Sequence, residues 1–124
     1  MPLLLDANVV IWLLSSPGRL RKNVLDELQR ADRQMFVSTA SLLEITAKAA
    51  TGRLIFNENM LTDLQAISTW LPLEARHALR VQSLPPIHKD PFDRAIVAQA
   101  LVEGMTLVTG DHLLMEYGVA ILLT

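Results

Sequence analysis

Apolar residues recur along the chain at two spacings, and each predicts its own kind of element. Short apolar runs stand at Leu3 to Leu5 before Asp6, at Met35 to Ser38, at Met105 to Thr109 and at Val119 to Leu123. Runs of this length bounded by turn residues read as strands. The segment from Trp70 to Leu73 is a weaker strand candidate, because Pro72 has no N–H for a ladder and belongs near a sheet edge. Between the runs the spacing lengthens to three and four. Ala7 to Leu14 continues the first strand as a helix, which Ser16-Pro17-Gly18 breaks. Leu20, Val24, Leu28 and Ala31 then lie on one helical face, with Lys22, Glu27 and Arg30 on the other.

Further helices follow the same logic. Ser41 and Glu44 have the capping-box spacing and predict the opening of a third helix, closed by Gly52. Asn57 to Ser68 predicts a helix with Met60, Leu64 and Ile67 inward, and Glu74 to Gln82 another. Pro91 to Glu103 is the best marked: Asp90 suits the N-cap, Pro91 the first position, Asp93 the dipole and Gly104 the stop. Strands alternating with helices predict an α/β domain, its mostly parallel sheet of four to five strands covered on both faces and joined by right-handed crossovers. A chain of 124 residues without repeats or linkers predicts one domain over residues 1–124.

Composition narrows the function classes. The chain is 51% hydrophobic with a mean hydropathy of +0.31, which argues for a compact globule with heavily buried elements. Absence of cysteine excludes a disulfide scaffold, thiolate metal sites and cysteine nucleophiles. The longest uncharged run, Ala7 to Gly18, is too short to span a bilayer, and the start lacks a positive signal region, so a cytoplasmic location without membrane association is expected. A formal charge of −2 opposes a nucleic-acid partner at first sight. Seven of the eleven basic residues, however, lie between Arg19 and Arg53.

Four acids fall at comparable places in this plan. Asp6 ends the first strand, Glu44 lies in the first turn of the helix after the second, Asp93 in the first turn of the Pro91 helix, and Asp111 just after the Met105 to Thr109 strand. Strand carboxyl ends and the helix N-termini beside them share one edge, where open α/β sheets place their functional crevice. Taken singly, these acids can be explained as caps or dipole partners. Gathered together they repel, so they either rise in pKa or require a cation, and hard Mg2+ or Mn2+ suits oxygen ligands. Without these four the formal charge moves from −2 to +2, which suits a metal site that meets a phosphodiester.

Other chemistries find less support. His77, His88 and His112 have no zinc-ligand spacing and read as surface or satisfied structural residues. No nucleophile elbow, phosphate-binding P-loop or dinucleotide fingerprint occurs. A receiver-like phosphoacceptor domain would need a second acid beside Asp6, an aspartate after the third strand and a lysine near the last strands. Asp6 has no adjacent acid, only Glu74 follows Leu73, and "LVTGD" contains no lysine.

The blocks "LLLDANVVIWLL", "VSTASLLEITAKAATGRL", "HKDPFDRAIVAQAL" and "LVTGDHLLMEYGVAIL" resemble, in order, the diagnostic segments of PIN-domain proteins of the VapC toxin type. The resemblance runs essentially from end to end. It implies a three-layer α/β/α fold and a Mg2+- or Mn2+-dependent endoribonuclease, with Asp6, Glu44, Asp93 and Asp111 as catalytic metal ligands. Asn8, Asp90 and Thr109 would support them, and Lys89 and Arg94 would meet RNA or antitoxin. Such proteins are toxins of toxin–antitoxin pairs, usually homodimeric, inhibited by a small antitoxin. Two positions depart from the pattern: Ala7 stands where Thr is frequent, and Gly110 where Arg or Asn is common. They keep open a catalytically silent PIN-like module that only binds RNA or protein.

Overall fold

A computed structural model describes residues 1–124. Five strands form a single sheet: β1 (Leu3–Leu5), β2 (Met35–Ser38), β3 (Thr69–Leu71), β4 (Thr106–Thr109) and β5 (Ile121–Leu123). Their order is β3-β2-β1-β4-β5 and every pairing is parallel. The α-helices are α1 (Ala7–Ser15), α2 (Lys22–Leu28), α3 (Thr39–Ala50), α4 (Glu58–Ile67), α5 (Ala75–Gln82) and α6 (Pro91–Glu103). Short 3-10 segments cover Pro17–Arg19 and His112–Tyr117.

The unbroken apolar runs of the central strands follow from burial on both faces. Leu3, Leu5, Val37 and Val108 point into one core, with Val9, Val10, Val24, Leu28, Ile45 and Leu64 from the covering helices. Leu4 and Leu107 point the other way, into a second core with Ile96, Val97 and Ala100 of α6 and Leu114 beyond β4. Two cores separated by the sheet give the three layers α/β/α. As Pro72 foretold, β3 is an edge strand and stops at Leu71.

Several boundaries differ from expectation. The third helix is capped not by Ser41 but by Ser38, whose hydroxyl accepts the Ala40 N–H at 3.0 Å. Ser41 is buried inside the helix, and Glu44 therefore lies in its second turn with no capping role. The helix after Leu20 begins at Lys22 and ends at Leu28, leaving Ala31 exposed beyond it. Ile67, expected inward, is 45% exposed because α4 ends at that residue, while Leu64 is fully buried. No helix is long and apolar enough to cross a membrane.

Candidate metal and nuclease site

The chain runs β1 to β2 to β3 in one direction and returns to place β4 on the other side of β1. The sheet order thus reverses between β1 and β4, and a crevice opens beyond their carboxyl ends. Asp6 leaves β1 there and Asp111 leaves β4. Their strands are in register at Leu5 and Val108, and the Asp6 N–H donates to the Val108 carbonyl at 3.0 Å. Helix α6 runs into β4, so its first turn brings Asp93 to the same edge. Asp6, Asp93 and Asp111 line one cleft of about 330 Å³ together with Asn8, Trp12 and Gly110. Glu44 does not line it but lies close enough behind to repel the charges of both Asp6 and Asp93.

Cap and site roles coincide in these acids. Asp6 Oδ1 accepts the Val9 N–H at 2.9 Å and caps α1, while its Oδ2 accepts the Thr109 hydroxyl. That hydroxyl in turn accepts the Asp111 N–H at 3.0 Å, so fully buried Thr109 joins the first and last acids. Asp111 Oδ1 accepts the Leu113 N–H, and Asp90 Oδ1 the Phe92 N–H. Asp93 caps nothing. Asn8 is exposed at the cleft mouth.

Charge is poorly balanced in the cleft. Burial raises the Asp6 carboxyl, against the hydrogen bonds from Thr109 and Val9, and repulsion from Glu44 and Asp111 raises it further. Asp93 is pushed up to about 7, first by burial and then by Asp90, with His88 opposing and Glu44 and Asp6 adding to the rise. Lys48 Nζ donates to Glu44 Oε2 at 2.7 Å, one turn along α3. Buried, mutually repelling carboxylates that offer oxygen donors fit a hard divalent cation.

Sequence reasoning missed His88. Its Nε2 lies 3.0 Å from Asp111 Oδ2 and 3.2 Å from Asp93 Oδ2, and the potential ligand atoms of the three residues lie within 4.8 Å of one another. Its place two residues before the Asp90 cap was the only available hint. His77 is a satisfied structural residue: Nδ1 accepts the Glu74 N–H and Nε2 faces Glu103.

Arg94, expected to meet RNA or antitoxin, has internal partners. Its guanidinium donates to the carbonyls of Val81, Leu84 and Pro85 and to the Tyr117 hydroxyl, and so clamps the segment joining α5 to α6. Lys89 is exposed on that segment. At Gly110 a Cβ would approach the Trp12 ring at 3.3 Å, so the missing side chain makes room for an indole that also carries Arg19 over its face at 4.8 Å.

Comparison with known proteins agrees with this architecture. The PIN domain family profile matches residues 3–119. No curated relative matches by sequence. Among solved structures, the chain is similar to one from VapBC2 of Rickettsia felis bound to a DNA fragment from their promoter, with a TM-score of 0.75, 16% identity and 98% of both chains covered. It is similar to a chain of DNA-bound VapBC from Salmonella typhimurium, at 0.70 and 18%, with 98% of this chain and 97% of that one covered. FitAcB from Neisseria gonorrhoeae gives 0.63 and 20%, over 96% and 95% respectively. At these identities the likeness concerns the fold, whereas the family profile spans nearly the whole sequence. The chain therefore belongs to the PIN-domain family.

Proposed function

We propose that this protein is a Mg2+- or Mn2+-dependent endoribonuclease that acts as the toxin of a toxin–antitoxin pair. One observation carries the reading: Asp6, Asp93 and Asp111, from three separate elements, share a cleft at the switch point of a PIN fold, with Glu44 behind them. Asp6, Asp93 and Asp111 would hold the cation, and Glu44 would close the cluster from α3. A bound divalent ion lowers the pKa of water and neutralises charge at the phosphorus. The protein's own part is orientation. Thr109 fixes Asp6 relative to Asp111, the capped first turn of α6 fixes Asp93, and Asn8 offers a neutral polar group at the mouth. In the net reaction, water adds its oxygen to phosphorus, the P–O bond to the leaving nucleoside breaks, and that oxygen ends protonated. Exposed Lys89 is suited to backbone phosphate, whereas Arg94 is committed elsewhere.

The receiver-like alternative loses its footing in the sheet order. Flavodoxin-like receivers place the third strand beside the first, but here β3 is at the edge and β2 and β4 flank β1. A small antitoxin partner is inferred because the similar chains belong to VapBC and FitAB assemblies, and a homodimer is expected with it.

The biological test is expression of the chain in a bacterial host, with RNA ends mapped after induction. Growth arrest accompanied by new RNA ends is expected, both removed by Asp6→Asn or Asp93→Asn. Equal arrest by a folded double variant would exclude the carboxylate mechanism.

A further inference from the structure

We infer that His88 positions the carboxylates of Asp93 and Asp111 through a fixed Nε2–H donor, and is not itself a metal ligand. The inference rests on the metal-site reading above and assigns a residue within it.

A neutral imidazole has one N–H and one bare nitrogen. The Asp90 backbone N–H can only donate, and it points at His88 Nδ1 across 3.0 Å. The bare nitrogen is therefore Nδ1, and the proton is on Nε2, which faces Asp111 Oδ2 and Asp93 Oδ2. Ligation through Nε2 would move that proton to Nδ1, directly against the N–H of the residue that caps α6. The ring is held from outside the cleft as well. The His88 backbone N–H donates to the Tyr117 hydroxyl at 2.8 Å, and Arg94 holds the same hydroxyl and the preceding loop carbonyls. Donor and ring are thus fixed before any cation arrives.

The consequence concerns two like charges on different elements. Asp93 lies in the first turn of α6 and Asp111 follows β4, with side chains 21% and 38% exposed, so repulsion alone would splay them toward solvent. The Nε2–H bonds Asp111 Oδ2, and its positive end attracts Asp93 Oδ2 at 3.2 Å, so an oxygen of each is drawn toward a common point while their other lone pairs stay available to a cation. Hydrogen-bond partners that orient ligating carboxylates are typically worth one to two orders of magnitude in metal affinity.

The experiment has two readouts on the full chain. Nitrogen-15 shifts of the His88 ring, recorded metal-free and with diamagnetic Mg2+, should place the proton on Nε2 in both states. Calorimetric titration with Mn2+ and with Mg2+ should show His88→Ala losing about tenfold in affinity for both ions at an unchanged ratio. His88→Gln, which still offers an N–H, should recover most of that loss, with thermal melts confirming that each variant folds. A bare Nε2, a loss selective for Mn2+ in both variants, or wild-type affinity in His88→Ala would each overturn the assignment. Wild-type protein that binds neither ion would instead contradict the metal-site reading, and the ring tautomer of the metal-free chain would still decide the role of His88.

Discussion

Asp93 is the residue at which structure and charge are most at odds. The fold keeps its proton up to about 7, whereas an ordinary Asp releases it near 3.8. Between those values the folded chain binds more protons than the unfolded one, so stability falls as pH rises through the window. Burial acts on Asp6 in the same sense. The metal-free protein should therefore unfold more easily at about pH 8 than at about pH 5, by about 2 kcal/mol once solvent screening of partly exposed Asp93 is allowed for. Mn2+ should make up the stability lost at about pH 8, and Asp93→Asn should flatten the pH dependence, as read by urea titration at the two pH values. Thr109→Val leaves the half-buried Asp111 N–H unpaired and should cost about 1 kcal/mol in the same assay, with Thr109→Ser recovering most of it. Asp6, Asp93 and Asp111 were legible as neighbours because strand ends and helix starts share an edge, whereas Glu44 approaches them from the second turn of α3. The roles of His88 and Arg94 were not legible, since each depends on a partner set by tertiary packing or on a loop path that periodicity does not report, whereas the Glu44–Lys48 pair has the i,i+4 spacing of one helix face.

At the scale of elements, α6 shows how a cap and a site can share one turn. Asp90 accepts the Phe92 N–H and starts the helix, Pro91 fixes its direction, and Gly104 ends it in the left-handed region at φ 67°. Asp90→Ala should cost about 1 kcal/mol in stability and leave divalent-ion binding within a few fold, because the backbone N–H that holds His88 survives the change. Asp93→Asn should do the reverse, keeping the helix and losing the ion. Chemical denaturation and calorimetry on the two variants separate the roles. This helix was readable because its signals are local and agree. The start of α3 was misplaced because Ser38 and Ser41 are both good capping residues, and only the exit of β2 at Ser38 decides between them. Ile67 was misplaced for a related reason: helical spacing identifies a face but not the turn at which the helix leaves the core.

For the whole molecule, the decisive feature is the order β3-β2-β1-β4-β5. It puts the exits of β1 and β4 side by side, and α3 and α6 add their acids to the same edge. Alternating elements made the parallel sheet and its three layers legible in the sequence. Strand order was not, because Leu4 and Leu107 would be buried equally well beside other neighbours. Under the proposed activity, the same edge would let a chain of net charge −2 meet a polyanion, because four of its acids are gathered where a cation would offset them. The most direct measurement of that claim is cleavage of RNA by purified protein with and without Mn2+, beside a folded Asp6→Asn/Asp93→Asn double variant. The account predicts cleavage that requires the ion and disappears in the double variant. Equal cleavage by the two proteins would contradict it.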